Sequence, residues 1–291
     1  RPMLALDSHR RSHNFQFPAY TQPKLDGVRA VAYLGSDGNV VFETRAGKKY
    51  PHMGPQREEL KNSGILKPGM YLDGEFYNND HETITFEQIT GICRRETLSL
   101  EDVDTLKLVQ YHIFDYFDIN NKSISFKKRY KTLKKIFKKK YEYLRLVKAK
   151  KAKDDKKVKK YFPRHMADGY EGIMIRNIDS PYELDKRSKH LQKYKEFSDD
   201  EYKIVDFEEA TGNDTRTVIW VCEYYNTELK QTCHFNVRPR GTREKRKEYF
   251  ENGDNYIGEL LTVRFQELSP YGCPRFPVGI CIRGTIGGKI M

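Results

Sequence analysis

The sequence predicts an α+β protein of two domains: a larger one of mixed strands and helices over residues 1–197 and a smaller β-barrel over 198–291. Three observations carry this. With 291 residues the chain is long enough to bury two separate cores. Up to Phe197, runs of period-two apolar alternation are interleaved with stretches of helical period. Beyond the polar break Ser198-Asp199-Asp200-Glu201 the chain reads almost entirely as short strands, with one charged helical segment among them.

The larger domain is justified element by element. Residues 1–18, polar with a few apolar anchors, are expected to form a short edge helix, on which His9 and His13 share a face. No third ligand stands near them, so a metal site is not expected there. Val28–Leu34 and Val40–Arg45 read as strands joined at Ser36-Asp37-Gly38-Asn39. Pro55–Ser63 reads as a helix closed by Gly64, Met70–Tyr77 as a strand, and Ile84–Arg95 as a helix with Ile84, Ile89 and Ile92 on one side. Lys107–Phe117 is an aromatic-rich buried strand. Tyr130, Leu133, Ile136 and Phe137 keep a helical stripe, Tyr143–Val147 a strand, and Val158, Tyr161 and Phe162 a further helix. Strands over 168–176 and 191–197 complete the domain. In the second domain, strands are expected over 202–209, 218–225, 231–237, 260–266 and 279–283, with a helix over 242–251. Five strands with a helix at that place suit a Greek-key barrel of the oligonucleotide-binding (OB) type. No internal repeat is present.

Composition narrows the function. The chain carries 53 Lys plus Arg against 41 Asp plus Glu, a net charge of +12, which favours a polyanionic partner, nucleic acid before a membrane surface. Aromatic residues at 13% exclude a disordered basic tail. No apolar run is long enough to span a membrane, and the first residues lack the apolar core of a signal peptide, so an intracellular location is expected. Five cysteines, odd in number and without a Cys-x-x-Cys pair, read as reduced thiols.

Four segments carry chemistry. In Gln22-Pro23-Lys24-Leu25-Asp26-Gly27-Val28-Arg29, a lysine precedes an Asp-Gly and an arginine at the start of a strand. A lysine becomes nucleophilic once solvent loss or cationic neighbours free its amine. Gly27 permits close approach of a ligand or strand, and Arg29 offers a planar fork to a phosphate or a sugar hydroxyl. Leu72-Asp73-Gly74-Glu75 sets an acid inside a strand, unfavourable unless it is paired, ligand-bonded or metal-bound. Asp168-Gly169-Tyr170-Glu171-Gly172 repeats that pattern. Lys193 and Lys195 alternate onto one strand face, where two like charges repel unless an anion lies between them. Phe114 in the aromatic strand either packs in the core, as a Phe in such a strand more often does, or stacks on a base. Taken together these segments describe a nucleotide site: one lysine to attack phosphorus, two carboxylates to hold magnesium or the ribose, and cations to absorb phosphate charge. The Walker sequence Gly-x-x-x-x-Gly-Lys-Ser/Thr is absent. Residues 127–160 hold eighteen Lys or Arg in thirty-four. They are either two solvated helix faces or a surface that tracks phosphates.

The ordered set resembles the ATP-dependent DNA ligases of the covalent nucleotidyltransferase superfamily, most closely the minimal two-domain type. Lys24-Leu25-Asp26-Gly27-Val28-Arg29, Thr44-Arg45-Ala46-Gly47, Leu72-Asp73-Gly74-Glu75, His112-Ile113-Phe114-Asp115, Glu171-Gly172-Ile173-Met174-Ile175-Arg176 and Leu191-Gln192-Lys193-Tyr194-Lys195 follow the family's order. Cys273-Pro274-Arg275-Phe276-Pro277 through Ile282-Arg283 resembles the end of the ligase barrel. The resemblance implies a nucleotidyltransferase (ATP-grasp-like adenylation) domain of antiparallel sheets and helices, followed by an OB-fold barrel.

It implies three steps. Lys24 attacks the α-phosphate of ATP, AMP passes to the 5′-phosphate at a nick in duplex DNA, and the 3′-hydroxyl displaces it. Arg29 would then meet the ribose or the nick phosphate, Arg45 the phosphate, and Glu75 the ribose. Glu75 and Glu171 would hold Mg2+, or Mn2+ in its place. Phe114 would stack on adenine, and Gln22 and Arg176 would line the nucleotide site. Lys193 and Lys195 would face the α-phosphate, Lys195 also helping to free the amine of Lys24. Lys150, Lys151, Lys156, Lys157, Arg275 and Arg283 would grip DNA. A monomer without an obligate protein partner is expected, in replication, repair or recombination. The family's usual Arg-x-Asp-Lys ending is replaced by Arg283-Gly284-Thr285 with Lys289 nearby. A capping guanylyltransferase shares the lysine motif, the acids and a barrel, but the Glu-Gly-Ile-Met-Ile-Arg and Cys-Pro-Arg-Phe-Pro segments are ligase-like. An RNA ligase shares the first domain without this barrel. A simple basic binding module leaves the strand-embedded acids unexplained.

Overall fold

The computed structural model describes residues 1–8, 15–80, 83–195, 197–283, 285–286 and 289–290. His9, His13 and Gly284 lie outside them, and the side chain of Lys289 is likewise not described. The chain divides into two compact units, Arg1–Tyr194 and Lys195–Met291.

Two five-stranded sheets build the first unit. In chain order its elements are β1 (Leu4–Asp7), β2 (Ala19–Lys24), β3 (Val28–Leu34), β4 (Val40–Glu43), α1 (Gly54–Ser63), β5 (Met70–Tyr77), α2 (Phe86–Arg94), α3 (Leu100–Leu106), β6 (Gln110–Asp118), α4 (Phe126–Ile136), β7 (Leu144–Leu146), β8 (Lys150–Ala152), α5 (Asp155–Ala167), β9 (Gly172–Asn177) and β10 (Arg187–Tyr194). One sheet runs β1-β10-β9-β2-β8 and the other β4-β3-β5-β6-β7. The chain crosses between them at Lys24–Val28 and again between β7 and β8. Most pairings are antiparallel. The exceptions are the edge pairs β1/β10 and β6/β7, which are parallel. The β6/β7 pair is joined through α4, the long connection that a parallel pair needs.

Local chemistry sets the helix ends. Thr85 and Gln88 form a reciprocal capping box at the start of α2, and Gly64 takes a left-handed φ of 63° to close α1. Ile84, Ile89 and Ile92 are buried in the main core, together with Phe42, Leu60, Leu72 and Phe76. A smaller core packs Val158 and Phe162 of α5 against Ile173 and Ile175 of β9.

Several elements differ from expectation. Residues 4–7 form a strand rather than part of an edge helix, because they pair with Arg187–Lys193. β4 stops at Glu43, and Arg45 sits in a turn in which the Gly47 N–H donates to the Thr44 carbonyl at 3.0 Å. Lys107 ends α3, so β6 starts only at Gln110. Asp168 ends α5, and β9 begins at Gly172 rather than at the acid.

The second unit is a closed barrel ordered β11-β12-β13-β15-β14, formed by β11 (Ser198–Glu209), β12 (Val218–Asn226), β13 (Gln231–Pro239), β14 (Leu260–Phe265) and β15 (Val278–Arg283), with α6 (Arg243–Glu251) between β13 and β14. Trp220, Val237, Leu261 and Val263 fill its interior. The polar run Ser198–Glu201, expected to be a break, is the first part of β11. Asp199 pairs across the ladder with Arg264, its Oδ1 accepting from Nε at 2.6 Å, so charge pairing replaces apolar alternation there. Among the described residues no helix is long and apolar enough to cross a membrane.

Candidate active site

Lys24 ends β2 opposite Gly172 of β9, and its carbonyl accepts from the Glu171 N–H at 2.9 Å. That backbone bond brings the Glu171 carboxylate to the lysine, and Nζ of Lys24 donates to Oε2 of Glu171. Leu25, Asp26 and Gly27 then carry the chain into the other sheet. Gly27 is required in this turn: a Cβ there would stand 2.3 Å from the Phe76 carbonyl oxygen and 2.9 Å from Cγ of Glu75. The close approach sets Glu75 of β5 beside Lys24. Gly74 does the same on the far side of β5, where a Cβ would meet the His112 carbonyl oxygen at 2.6 Å.

Burial pushes the Glu75 carboxyl up to about 7, against the pull of the Lys24 and Arg29 charges and the Gly27 N–H. It therefore titrates near neutrality, as site carboxyls held between burial and cations do.

A cleft of about 330 Å³ opens here between the sheets. Gln22, Lys24, Arg29, Arg45, Glu75, Phe114, Arg176 and Lys193 all line it, with Met174 and Leu191 supplying apolar surface. Its volume and mixed lining suit a small polar ligand with one flat apolar part. Phe114 is half-buried, with the guanidinium carbons of Arg29 and Arg176 at 5.6 and 5.5 Å from its ring centre. Arg45 is exposed on its turn, and Lys193 projects from β10 opposite Met174.

Beneath the cleft lies a polar scaffold that the sequence reading misses. Asp115 is fully buried and accepts from two arginines: Nε of Arg129 at 2.8 Å and Nη2 at 3.0 Å, and Nη1 of Arg176 at 2.8 Å. Nε of Arg176 donates in turn to Oε1 of Gln22 at 3.0 Å, and the Gln22 amide donates to the carbonyls of Phe114 at 3.0 Å and Val147 at 3.3 Å. Burial pulls the Arg176 guanidinium below its ordinary value, and Asp115 works against that pull. A second clamp holds Arg29. Buried Asp73 accepts from Nε at 3.0 Å and Nη2 at 2.7 Å, and from the Tyr182 hydroxyl at 2.5 Å. Burial lowers the affinity of Arg29 for its proton, but Asp73, Tyr182 and Glu75 together outweigh it and hold the group above its ordinary value. The available signal for Arg129 is spacing. Phe126, Arg129, Tyr130 and Leu133 stand at i, i+3, i+4 and i+7, so Arg129 lies on the apolar stripe of α4 rather than on its solvated face.

Not all candidates gather in the cleft. Lys195 follows β10 into the second unit, where its Nζ donates to Oε1 of Gln266 at 2.7 Å. Arg275 donates to Glu267 at 2.6 Å, and Arg283 to Thr262 at 3.0 Å beside Glu201 at 3.1 Å. Lys150 and Lys151 lie on β8, and Lys156 and Lys157 on α5. Lys150 and Lys157 approach the Tyr161 ring at 5.7 and 5.1 Å. Among the described residues no group of three or more His, Cys, Asp or Glu stands together to hold a metal.

Known proteins match both units. The model for an ATP dependent DNA ligase domain matches residues 2–195, and that for a DNA ligase OB-like domain matches residues 221–283. A DNA ligase of African swine fever virus is 30% identical over 263 residues, which is 86% of this chain and 59% of the relative. The chain thus spans 59% of the length of that curated relative. Among solved structures, one named Pmar-Lig_Pre superposes with a TM-score of 0.81 at 23% identity, over 97% of this chain and 67% of its own. One from a structure-function analysis of Lig E DNA ligases gives 0.70 at 18%, over 97% and 100%. At these identities the two structures share the fold. The match from residue 2 to residue 195 places the chain in the family of ATP-dependent DNA ligases.

Proposed function

We propose that this chain seals nicks in duplex DNA at the expense of ATP, with Lys24 as the covalent nucleophile. The observation that carries the reading is the single cleft holding Lys24, Glu75, Phe114, Arg45 and Lys193 together. The Nζ of Lys24 attacks the α-phosphorus of ATP, an N–P bond forms, the bond from that phosphorus to the bridging oxygen breaks, and pyrophosphate leaves. Glu171, in contact with Nζ, is the group placed to take the proton that Lys24 must lose. Phe114 offers its ring to the adenine, Glu75 its carboxylate to the ribose, and Arg45 and Lys193 their charge to the phosphates. The adenylate then passes to the 5′-phosphate of a nick, and the 3′-hydroxyl displaces AMP.

Glu75 and Glu171 are hard oxygen donors on either side of Lys24. Two carboxylates fit magnesium, which completes its shell with substrate phosphates and water rather than with an all-protein cage. When bound, such an ion would supply charge neutralisation at the phosphates. A duplex with a single nick, incubated with ATP as the only nucleotide, should be sealed. Sealing with GTP alone, or of nicked RNA but not DNA, would contradict the reading.

The lysine-rich face supplies grip on the DNA backbone in this reading. Changing Lys150, Lys151, Lys156 and Lys157 together to alanine should weaken nick binding. It should also flatten the slope of log affinity against log salt by about 2 to 4, since each phosphate a lysine neutralises adds about 0.9 to it. A fluorescence-anisotropy salt titration measures the slope, and an unchanged slope removes this face from the DNA interface.

A further inference from the structure

We propose that the first unit holds a second ligand site, a cleft for a phosphoryl-bearing anion, distinct from the cleft that contains Lys24. It has a volume of about 530 Å³ and lies where the chain crosses from β7 to β8. Arg145, Lys148 and Lys150 line it from that crossing, and His165 lines it from α5. Pro23 and Leu25, the neighbours of Lys24 along the chain, border both clefts.

Three features point to an anion. Three cations face two carboxylates in the lining, and one of these, Asp80, is already bonded to Thr83, accepting from its N–H at 3.2 Å and its hydroxyl at 2.5 Å. The other, Asp168, ends α5. Lys148 and Lys150 are exposed along a short segment, so their charges fall on one rim.

The third feature is His165. It is 8% exposed, and its Nδ1 has no hydrogen-bond partner among the described residues. A buried ring nitrogen without a partner costs free energy unless something reaches it. Burial and the charge of Lys150 hold His165 below its ordinary value, so the ring is neutral at pH 7. Nδ1 has almost no accessible surface as the ring stands, so in the tautomer with hydrogen on Nδ1 it reaches a phosphoryl oxygen only when the ring turns toward the cleft that His165 lines. Arg145 already donates from Nη1 to the carbonyls of Tyr141 and Leu144, so phosphate oxygens would be met chiefly by the exposed ammonium groups of Lys148 and Lys150. The phosphoryl group belongs either to a free oligophosphate or to a DNA backbone, and the chemistry of recognition is the same for both.

The test is isothermal titration calorimetry of the full chain with inorganic tripolyphosphate in the presence of EDTA. Wild type should bind two equivalents, one per cleft. Lys148→Ala with Lys150→Ala should lose one equivalent or weaken it about tenfold or more, because two charge-assisted contacts go. Both side chains are exposed, so the fold is not at stake. Arg45→Ala with Lys193→Ala should keep the equivalent that the first pair loses, and adding His165→Phe to that variant should weaken it. Nicked duplex that displaces tripolyphosphate from the Arg45→Ala, Lys193→Ala protein identifies the source as DNA backbone. Simultaneous binding identifies a free oligophosphate. Wild-type stoichiometry and affinity in the Lys148→Ala, Lys150→Ala protein, or no binding at all to the Arg45→Ala, Lys193→Ala protein, overturns the proposal.

Discussion

Replacing Asp115 with alanine should destabilise the first unit by about 3–5 kcal/mol, the cost of breaking a buried ion network from one side. Asp115 is 0% exposed, and the arginines it holds, Arg129 and Arg176, are 1% and 3% exposed. Without the carboxylate, two guanidinium groups stay buried with no counter-charge, and each has hydrogen bonds to lose. Asp115→Asn should behave nearly as badly, because it keeps the shape and removes the charge. Replacing all three residues by apolar ones of similar volume should restore much of the stability, since the buried triad as a whole contributes little net energy. That triple variant should still fail to react with ATP, because Arg176 no longer fixes the Gln22 amide and with it the floor under Phe114. Urea denaturation measures the first effect and nucleotide labelling the second. A loss below about 1 kcal/mol for Asp115→Ala would show that the triad does not hold the unit together.

Glu75→Gln should separate stability from activity. The folded carboxyl is raised from 4.5 to about 7, so its ionised form is disfavoured by folding. The sign follows. Below pH 4.5 the group is protonated in both folded and unfolded states, and the substitution should change stability little. Between pH 4.5 and 7 the unfolded chain releases the proton while the folded one keeps it, so the wild-type protein steadily loses stability; glutamine does not titrate. Glu75→Gln should therefore be more stable than wild type above pH 7, by at most about 3 kcal/mol, with the gain appearing between pH 4.5 and 7. Its reaction with ATP should fall by at least about 100-fold, because a neutral amide supplies neither charge nor a metal ligand. Thermal melts across that pH range test the first claim and labelling rates the second. A stability difference that does not change with pH would contradict the burial argument.

How much of this is legible in the sequence depends on whether the cause is local. Glu75 stands out as a candidate because it is a carboxylate next to a glycine in a largely apolar strand, and Lys24 because an Asp-Gly and an arginine follow it, whereas Phe114 is one aromatic among several in β6 and is marked only by the order of the motifs. The left-handed closure at Gly64 and the isoleucines of α2 follow from spacing alone. What escapes is set by partners far along the chain. β1 forms because β10, about 180 residues later, offers it a ladder, and residues 4–7 taken alone have no strand alternation. Ser198–Glu201 reads as a linker until Arg264 and its neighbours make it part of a strand. Arg129 is lost among the eighteen Lys or Arg of residues 127–160, although the stripe of α4 places it inward and Asp115 gives it a reason to be there. Charge counts by themselves do not separate a buried arginine from a solvated one; the apolar period around it does.

The proposed function depends on Lys24 becoming a covalent carrier of adenylate. The direct measurement is the intact mass of the purified chain after incubation with ATP and magnesium, beside Lys24→Ala treated in the same way. The wild-type chain should gain the mass of one adenylyl group, and gain it on the peptide that holds Lys24, while the variant gains nothing. A wild-type mass that never rises, or a variant that rises equally, would contradict the account.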